Sequence, residues 1–187
     1  MCIEIEAKLK IDLPEAVERK LSGLGAQFVA EQQQKDYHFD DAAGSLARGD
    51  KCLRLRRQRE EKGERFFLTF KGAKEKSSFK KRQEIEIEIK DADSTEKLLT
   101  ALGYEKALAV EKRRRLWRLG ECEIALDHLP LLGDFVEIEG PDEGKIADVQ
   151  KQIGLSGLPH IPKSYAALVK AKLRELSKEQ DVNGLQR

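Results

Sequence analysis

The segment Ile3-Glu4-Ile5-Glu6-Ala7-Lys8-Leu9-Lys10-Ile11 sets the terms on which the rest of the chain is read. On a strand successive side chains point to opposite faces, so Ile3, Ile5, Ala7, Leu9 and Ile11 share one face and Glu4, Glu6, Lys8 and Lys10 the other. One such strand is ordinary in a sheet with a single wet face. The pattern recurs, however. Arg82, Glu84, Glu86 and Glu88 alternate with Gln83, Ile85, Ile87 and Ile89, and Glu137 and Glu139 alternate with Val136 and Ile138. Arg54 and Arg56 sit between Leu53 and Leu55, and Lys112 and Arg114 precede Leu116 and Trp117. A solvated face normally mixes signs and uses Ser, Thr and Gln freely. Faces this purely charged imply rows turned toward each other around a shared ligand: carboxylates suit a hard divalent cation, and Arg and Lys suit phosphate.

The chain of 187 residues fits one domain, expected over 1–176, with a polar C-terminal tail over 177–187. Charged residues make up 37% of it, yet the formal net charge is only +1. That balance argues against a general nucleic-acid binder, which would show a basic excess. Cys2, Cys52 and Cys122 have neither CxxC nor CxxH spacing and read as reduced thiols. No apolar run is long enough to span a bilayer as a helix, and a soluble, cytoplasmic protein is expected. A homodimer is compatible with the sequence but not specified by it.

The remaining elements follow from periodicity and punctuation. Asp12 is the expected cap of a helix with Pro14 in its first turn and Ala16, Val17, Leu21 and Leu24 on one side, stopping at Gly25. Residues 28–40 read as extended and 40–50 as a loop; 52–59 and 65–71 form a hairpin, and 79–90 is the long acidic strand. Ser94 or Thr95 is expected to cap a second helix carrying Leu98, Leu99 and Leu102. Strands follow at 110–118, 121–129 and 135–139, then a helix through Ile146, Val149 and Ile153, and a last helix through Tyr165, Leu168, Val169, Leu173 and Leu176. A strand, helix and glycine stop recur at Glu6 to Gly25, Glu86 to Gly103 and Glu139 to Gly154. If helices cover the apolar faces of a closed sheet, the charged faces become its interior.

The motifs, taken in order, resemble those of the CYTH superfamily, the triphosphate tunnel metalloenzymes. They are Glu4-Ile5-Glu6-Ala7-Lys8, Leu53-Arg54-Leu55-Arg56, Thr69-Phe70-Lys71-Gly72, Arg82-Gln83-Glu84-Ile85-Glu86, Lys112-Arg113-Arg114, Ile124-Ala125-Leu126-Asp127 and Phe135-Val136-Glu137-Ile138-Glu139. Leu132 to Glu139 and Pro162-Lys163-Ser164-Tyr165 look most like the class IV adenylyl cyclase branch. The resemblance implies an α+β fold, an antiparallel eight-stranded β-barrel with a charged lumen and helices packed outside. It further implies Mg²⁺ or Mn²⁺ near Glu4, Glu6, Asp127, Glu137 and Glu139, with Glu84 or Glu86 facing the ion. Lys8, Arg54, Arg56, Lys71, Arg82, Lys112 and Arg114 would line the triphosphate path, and Glu4, Glu6, Lys8 and Asp127 would carry catalysis.

The substrate implied is ATP or tripolyphosphate. Three activities fit: cyclisation of ATP to cyclic AMP and pyrophosphate, hydrolysis of an inorganic, nucleoside or thiamine triphosphate, or non-catalytic polyphosphate binding. The acidic rows weigh against simple anion binding. By parity Arg113, Arg115 and Trp117 are expected outside the lumen, and Glu123 shares parity with Asp127. Glu88 and Lys10 are expected in solvent, and His38, His128 and His160 lack metal-ligand spacing.

Overall fold

The structure, a computed structural model, describes residues 2–184. Its strands are β1 (Cys2–Lys10), β2 (Gln27–Asp41), β3 (Cys52–Glu60), β4 (Gly63–Lys71), β5 (Lys80–Ile89), β6 (Tyr104–Leu119), β7 (Cys122–Leu129) and β8 (Gly133–Glu139). They close an antiparallel barrel in the order β1-β5-β4-β3-β2-β6-β7-β8. The helices are α1 (Pro14–Gly23), α2 (Ser45–Arg48), α3 (Ala92–Ala101), α4 (Glu143–Gln152) and α5 (Tyr165–Gly184). The eight-stranded barrel with its helices outside is the fold that the resemblance implies, and its closure under helices is what the alternation led to. Closure leaves no sheet edge, and it puts β2 four places from β1 in either direction round the ring.

The apolar rows face outward and are covered by helices. Ala7 and Leu9 of β1 with Ile11 just beyond it, Ile124 and Leu126 of β7, and Val136 and Ile138 of β8 pack with Val17 and Leu21 of α1 and Ile146 and Val149 of α4. Phe39 and Leu55 pack with Ala92 and Leu99 of α3. Gly140, after β8, allows α4 to approach closely: a Cβ there would lie 2.8 Å from Cys122 Sγ and 3.0 Å from Ile146 Cγ1. Helix α5 does something different. Its Tyr165 and Val169 pack on Val110, Leu129 and Phe135, which belong to the inward rows, so the helix closes the barrel on that side.

Local details depart from the sequence reading where side-chain chemistry outweighed pattern. Helix α1 is preceded by Leu13, not capped by Asp12, and has no side-chain cap. Asp91, rather than Ser94 or Thr95, caps α3, accepting from the Asp93 amide at 2.9 Å, while Ser94 Oγ donates to its other oxygen. In the expected loop, the Asp40 carboxylate accepts from the Leu46 and Ala47 amides and holds the single turn α2. Strand β6 begins at Tyr104, ahead of the expected Val110, because its partner β2 is long enough to pair with it as far as Asp41. Helix α5 continues beyond Leu176 to Gly184, and residues 185–187 of the expected tail lie outside the described residues.

Ile138 is fully buried between β8 and the α1/α4 layer. Ile138→Ala should cost about 2–5 kcal/mol in urea unfolding, since the site is walled by other strands and cannot collapse onto a smaller side chain. A loss below about 1 kcal/mol would show that the outer face is not the packed core.

Candidate active site

The inward rows line one cavity of about 220 Å³. Into it the barrel brings Glu4, Glu6, Lys8, Arg54, Arg56, Lys71, Arg82, Glu84, Glu86, Lys112, Arg114, Glu137 and Glu139. Register explains the convergence. Glu4 lies opposite Arg82, Lys8 opposite Glu137, Lys71 opposite Glu84, and Arg54 opposite Thr69, so even positions of one strand meet even or odd positions of the next on the same face. Asp127 belongs to the same face of β7 but is not part of the cavity lining. It is 1% exposed and lies behind Arg114 and Lys112. Glu123 does reach the cavity, whereas Glu88 and Lys10 lie at exposed positions, Glu88 gripped by Arg65.

Nearly every lumen carboxylate is closed on a cation. Lys71 Nζ lies 2.6 Å from Glu4 and 2.8 Å from Glu84; Lys80 Nζ lies 2.6 Å from Glu6. Lys8 Nζ lies 3.1 Å from Glu137, which also meets Arg114. Arg114 forks onto Asp127 at 2.7 and 2.6 Å, and Lys112 donates to the same carboxylate at 3.0 Å. Arg54 donates to Thr69 Oγ1 at 3.0 Å and to Glu86 at 3.2 Å. Buried charges survive only in such company, because an unpaired one would forfeit its hydration without return.

The electrostatics follow the pairing. Burial works against ionisation of Glu137, but Lys8, Lys112 and Arg114 overcome it and hold the carboxyl well below the usual range. Asp127 is lowered in the same way, burial being outweighed by Arg114 and Lys112, and Glu4 likewise by Lys71 and Lys80. Glu139 is the exception: burial, then the charges of Glu4, Glu6 and Glu84, push it up to about 7. Burial and then Arg114 bring Lys112 down to about 8.

Whether these residues suit a divalent cation is a question of donor chemistry. Among the described residues no group of three or more Asp, Glu, His or Cys side chains is drawn up as a finished metal cage. Yet Glu4 Oε2 is buried with no hydrogen-bond partner, Arg82 Nε standing 3.6 Å away, and burial followed by the charges of Glu4, Glu6 and Glu84 raises Glu139 to about 7. Hard oxygen donors in mutual repulsion, one of them orphaned, are a set that a small dication relieves. The residues fit the ion.

Alternation alone did not single out several residues that the structure places here. Lys80 extends the basic row of β5, Tyr165 enters from α5, and Asp36, His38 and Cys52 line the cavity from β2 and β3. Lys8 and Lys112 lie 4.1 and 4.8 Å from the centre of the Tyr165 ring. His38 is held down to about 4, chiefly by burial, and contacts Cys52 Sγ at 3.4 Å, so it is neutral. On β2 only the end of the strand alternates, with Asp36, His38 and Asp40 around Tyr37 and Phe39, while the preceding Gln32-Gln33-Gln34-Lys35 run is polar on both faces. Helical periodicity placed Tyr165 in the apolar stripe, and only its place in the Pro162-Lys163-Ser164-Tyr165 motif marked it otherwise.

The CYTH domain family matches residues 2–165. The chain belongs to the CYTH family. An adenylate cyclase, CyaB, of Aeromonas hydrophila is 30% identical over 180 residues, covering 91% of this chain and 90% of that one. A Methanocaldococcus jannaschii protein, provisionally named an adenylate cyclase, is 33% identical over 137 residues, 73% of this chain and 76% of its own. Among solved structures, the PH1819 protein of Pyrococcus horikoshii superposes with a TM-score of 0.78 at 29% identity, covering 90% of this CYTH chain and 99% of its own. A Hippeastrum protein shares the fold with a TM-score of 0.69 at 20% identity, covering 90% and 95%. Among the described residues of this CYTH protein, no helix is long and apolar enough to cross a membrane.

If Lys112, which carries its charge below about 8 and loses it above, is a phosphate contact, binding of tripolyphosphate should weaken as pH rises from about 7 to about 9. Lys112→Arg, whose guanidinium stays protonated, should flatten that part of the profile. Calorimetric titration at each pH checks this, and an equally steep fall in the arginine variant would remove Lys112 from the phosphate path.

Proposed function

We propose that this CYTH protein is a divalent-metal-dependent enzyme acting on a triphosphate, and that its reaction is conversion of ATP to cyclic AMP and pyrophosphate. The observation that carries the reading is the arrangement of the lumen charge: cations and carboxylates from seven strands are paired with each other around one cavity. An entering triphosphate therefore exchanges for carboxylates as partner of Lys8, Arg54, Arg56, Lys71, Arg82, Lys112 and Arg114. The carboxylates thus released, Glu4, Glu6, Glu84, Glu86 and Glu137, would then be free to hold Mg²⁺ or Mn²⁺ together with Glu139, which no cation holds in an ion pair among the described residues. Asp127 keeps Arg114 and Lys112 aimed from behind. A bound dication supplies Lewis-acid neutralisation of phosphate charge.

Transfer at phosphorus asks the protein mainly to align and neutralise. Cyclisation joins the ribose 3′-oxygen to the α-phosphorus and breaks the bond to the β-phosphate bridge, releasing pyrophosphate; the 3′-hydroxyl proton must leave. Arginine and lysine pairs along the path hold the β- and γ-phosphates so that this leaving group is straight and charge-compensated. The adenylate cyclase names of two relatives at 30% and 33% identity support the choice of reaction. Hydrolysis is the second reading, favoured by one observation: the Hippeastrum protein of this fold is described as having a dominant triphosphatase activity.

Incubation with Mg²⁺ or Mn²⁺ and either ATP or tripolyphosphate separates the readings. Cyclic AMP with pyrophosphate supports the cyclase, orthophosphate the hydrolase, and no product from either refutes both. Glu6→Ala should lower metal-dependent turnover by about 100-fold or more with the fold retained. Arg56→Ala should raise KM roughly tenfold or more, as loss of a charge-assisted contact implies. An unchanged KM would take Arg56 out of substrate capture.

A further inference from the structure

One buried carboxylate lies on the wrong side of the lumen for the role given to the others. Asp36 projects from β2, across the barrel from β1 with its Glu4 and Glu6. It is 5% exposed, and both its oxygens are engaged by the cross-strand neighbour Arg56, Nε donating at 2.6 Å and Nη2 at 2.7 Å. Arg54 Nη1 lies 3.6 Å from the second of those oxygens. A carboxylate with both oxygens in an arginine fork has little left to offer a metal ion, and one set beside a polyphosphate path should repel the substrate. Pairing with Arg56 compensates both buried charges, but it does not by itself give a reason for an anion beside a polyanion path.

Geometry gives one. Arg54 and Arg56 lie two residues apart on the same face of β3, so their guanidinium groups start only about 7 Å apart and repel. Left to themselves, two long side chains carrying like charge spread over many rotamers. A carboxylate directly opposite fixes the Arg56 fork bidentately and draws in Arg54 Nη1, while Arg54 Nη2 is held from the other side by Thr69 and Glu86, and both guanidinium groups line the cavity. The same device operates at Asp127, which holds Arg114 and Lys112 on the adjoining wall.

We infer that Asp36 is a positioning residue of the phosphate path, holding Arg54 and Arg56 at the separation a bound triphosphate requires. This rests on the triphosphate reading of the lumen. The inference differs in sign from simple electrostatics. Deleting a negative charge beside a polyanion site should tighten binding if charge is what matters, and should weaken it if the charge orients the arginines.

The test is calorimetric titration of inorganic tripolyphosphate into the unaltered protein and into Asp36→Asn, Asp36→Glu, Arg56→Ala and the Asp36→Asn/Arg56→Ala double variant, with thermal unfolding of each. Asp36→Asn and Asp36→Glu should each bind about tenfold more weakly or worse. The double variant should be no more than about twofold weaker than Arg56→Ala alone, because Asp36 acts chiefly through that arginine. Tighter or unchanged binding by Asp36→Asn, or fully multiplicative losses in the double variant, would overturn the inference. So would a lowered unfolding midpoint with affinity intact, the mark of a purely structural residue. If Asp36→Asn does not fold, Asp36→Glu decides: it keeps the charge and changes only the reach, so wild-type affinity refutes positioning and weakened affinity supports it. Failure of the unaltered protein to bind tripolyphosphate is a separate result, which sinks the phosphate-lumen reading and this inference with it.

Discussion

Ion pairing inside a closed barrel is the constraint on which everything else in this protein depends. Turning the polar face of eight strands inward removes their charges from bulk water, and each charge then needs a partner within the lumen. The strands supply the partners across the register: Lys71 serves Glu4 and Glu84, Lys80 serves Glu6, Lys8 and Arg114 serve Glu137. A cavity built this way is polar, preformed and electrically near balance. In such a lumen a dication taken up with a polyanion would offset part of the polyanion's charge, so each should favour entry of the other.

The outside of the barrel bears the cost of folding. Leu9, Ile124, Val136 and Ile138 are fully buried beneath α1 and α4, and Leu55 beneath α3. The usual arrangement of a small barrel, apolar inside and polar outside, is inverted. Where α5 closes one side, apolar packing invades the inward rows at Val110, Leu129 and Phe135, and there Tyr165 brings a ring to Lys8 and Lys112. Burial and the nearby Glu137 and Asp127 charges push the Tyr165 hydroxyl well above its ordinary range, so it stays protonated.

How much of this could be read from the residues depended on whether a residue's role is set by its own strand or by its neighbours. Parity gave the barrel's inside and outside on β1, β3, β5, β6 and β8, and it placed Arg113, Arg115 and Trp117 outside; Trp117 packs against Phe28 there. It could not separate Asp127 from Glu137, since both lie on inward rows and only the positions of Lys112 and Arg114 decide which carboxylate stands in front. Asp36 was missed for a related reason. Its strand is rich in Gln, a residue that marks no chemistry, and its work is visible only once β2 is set beside β3. Helix caps failed where several acceptors competed within a few residues, as at Asp91, Ser94 and Thr95, and the outcome was settled by backbone geometry.

The central claim is that the paired lumen is a preformed receptor for a triphosphate, and ligand linkage measures that directly. The thermal midpoint should be followed with increasing tripolyphosphate against sodium chloride matched for ionic strength, with and without Mg²⁺. Tripolyphosphate should raise the midpoint progressively, with a further rise when Mg²⁺ is present, because a ligand bound only by the folded state stabilises it by mass action. A midpoint that follows ionic strength alone, with no difference between tripolyphosphate and chloride, would contradict the account.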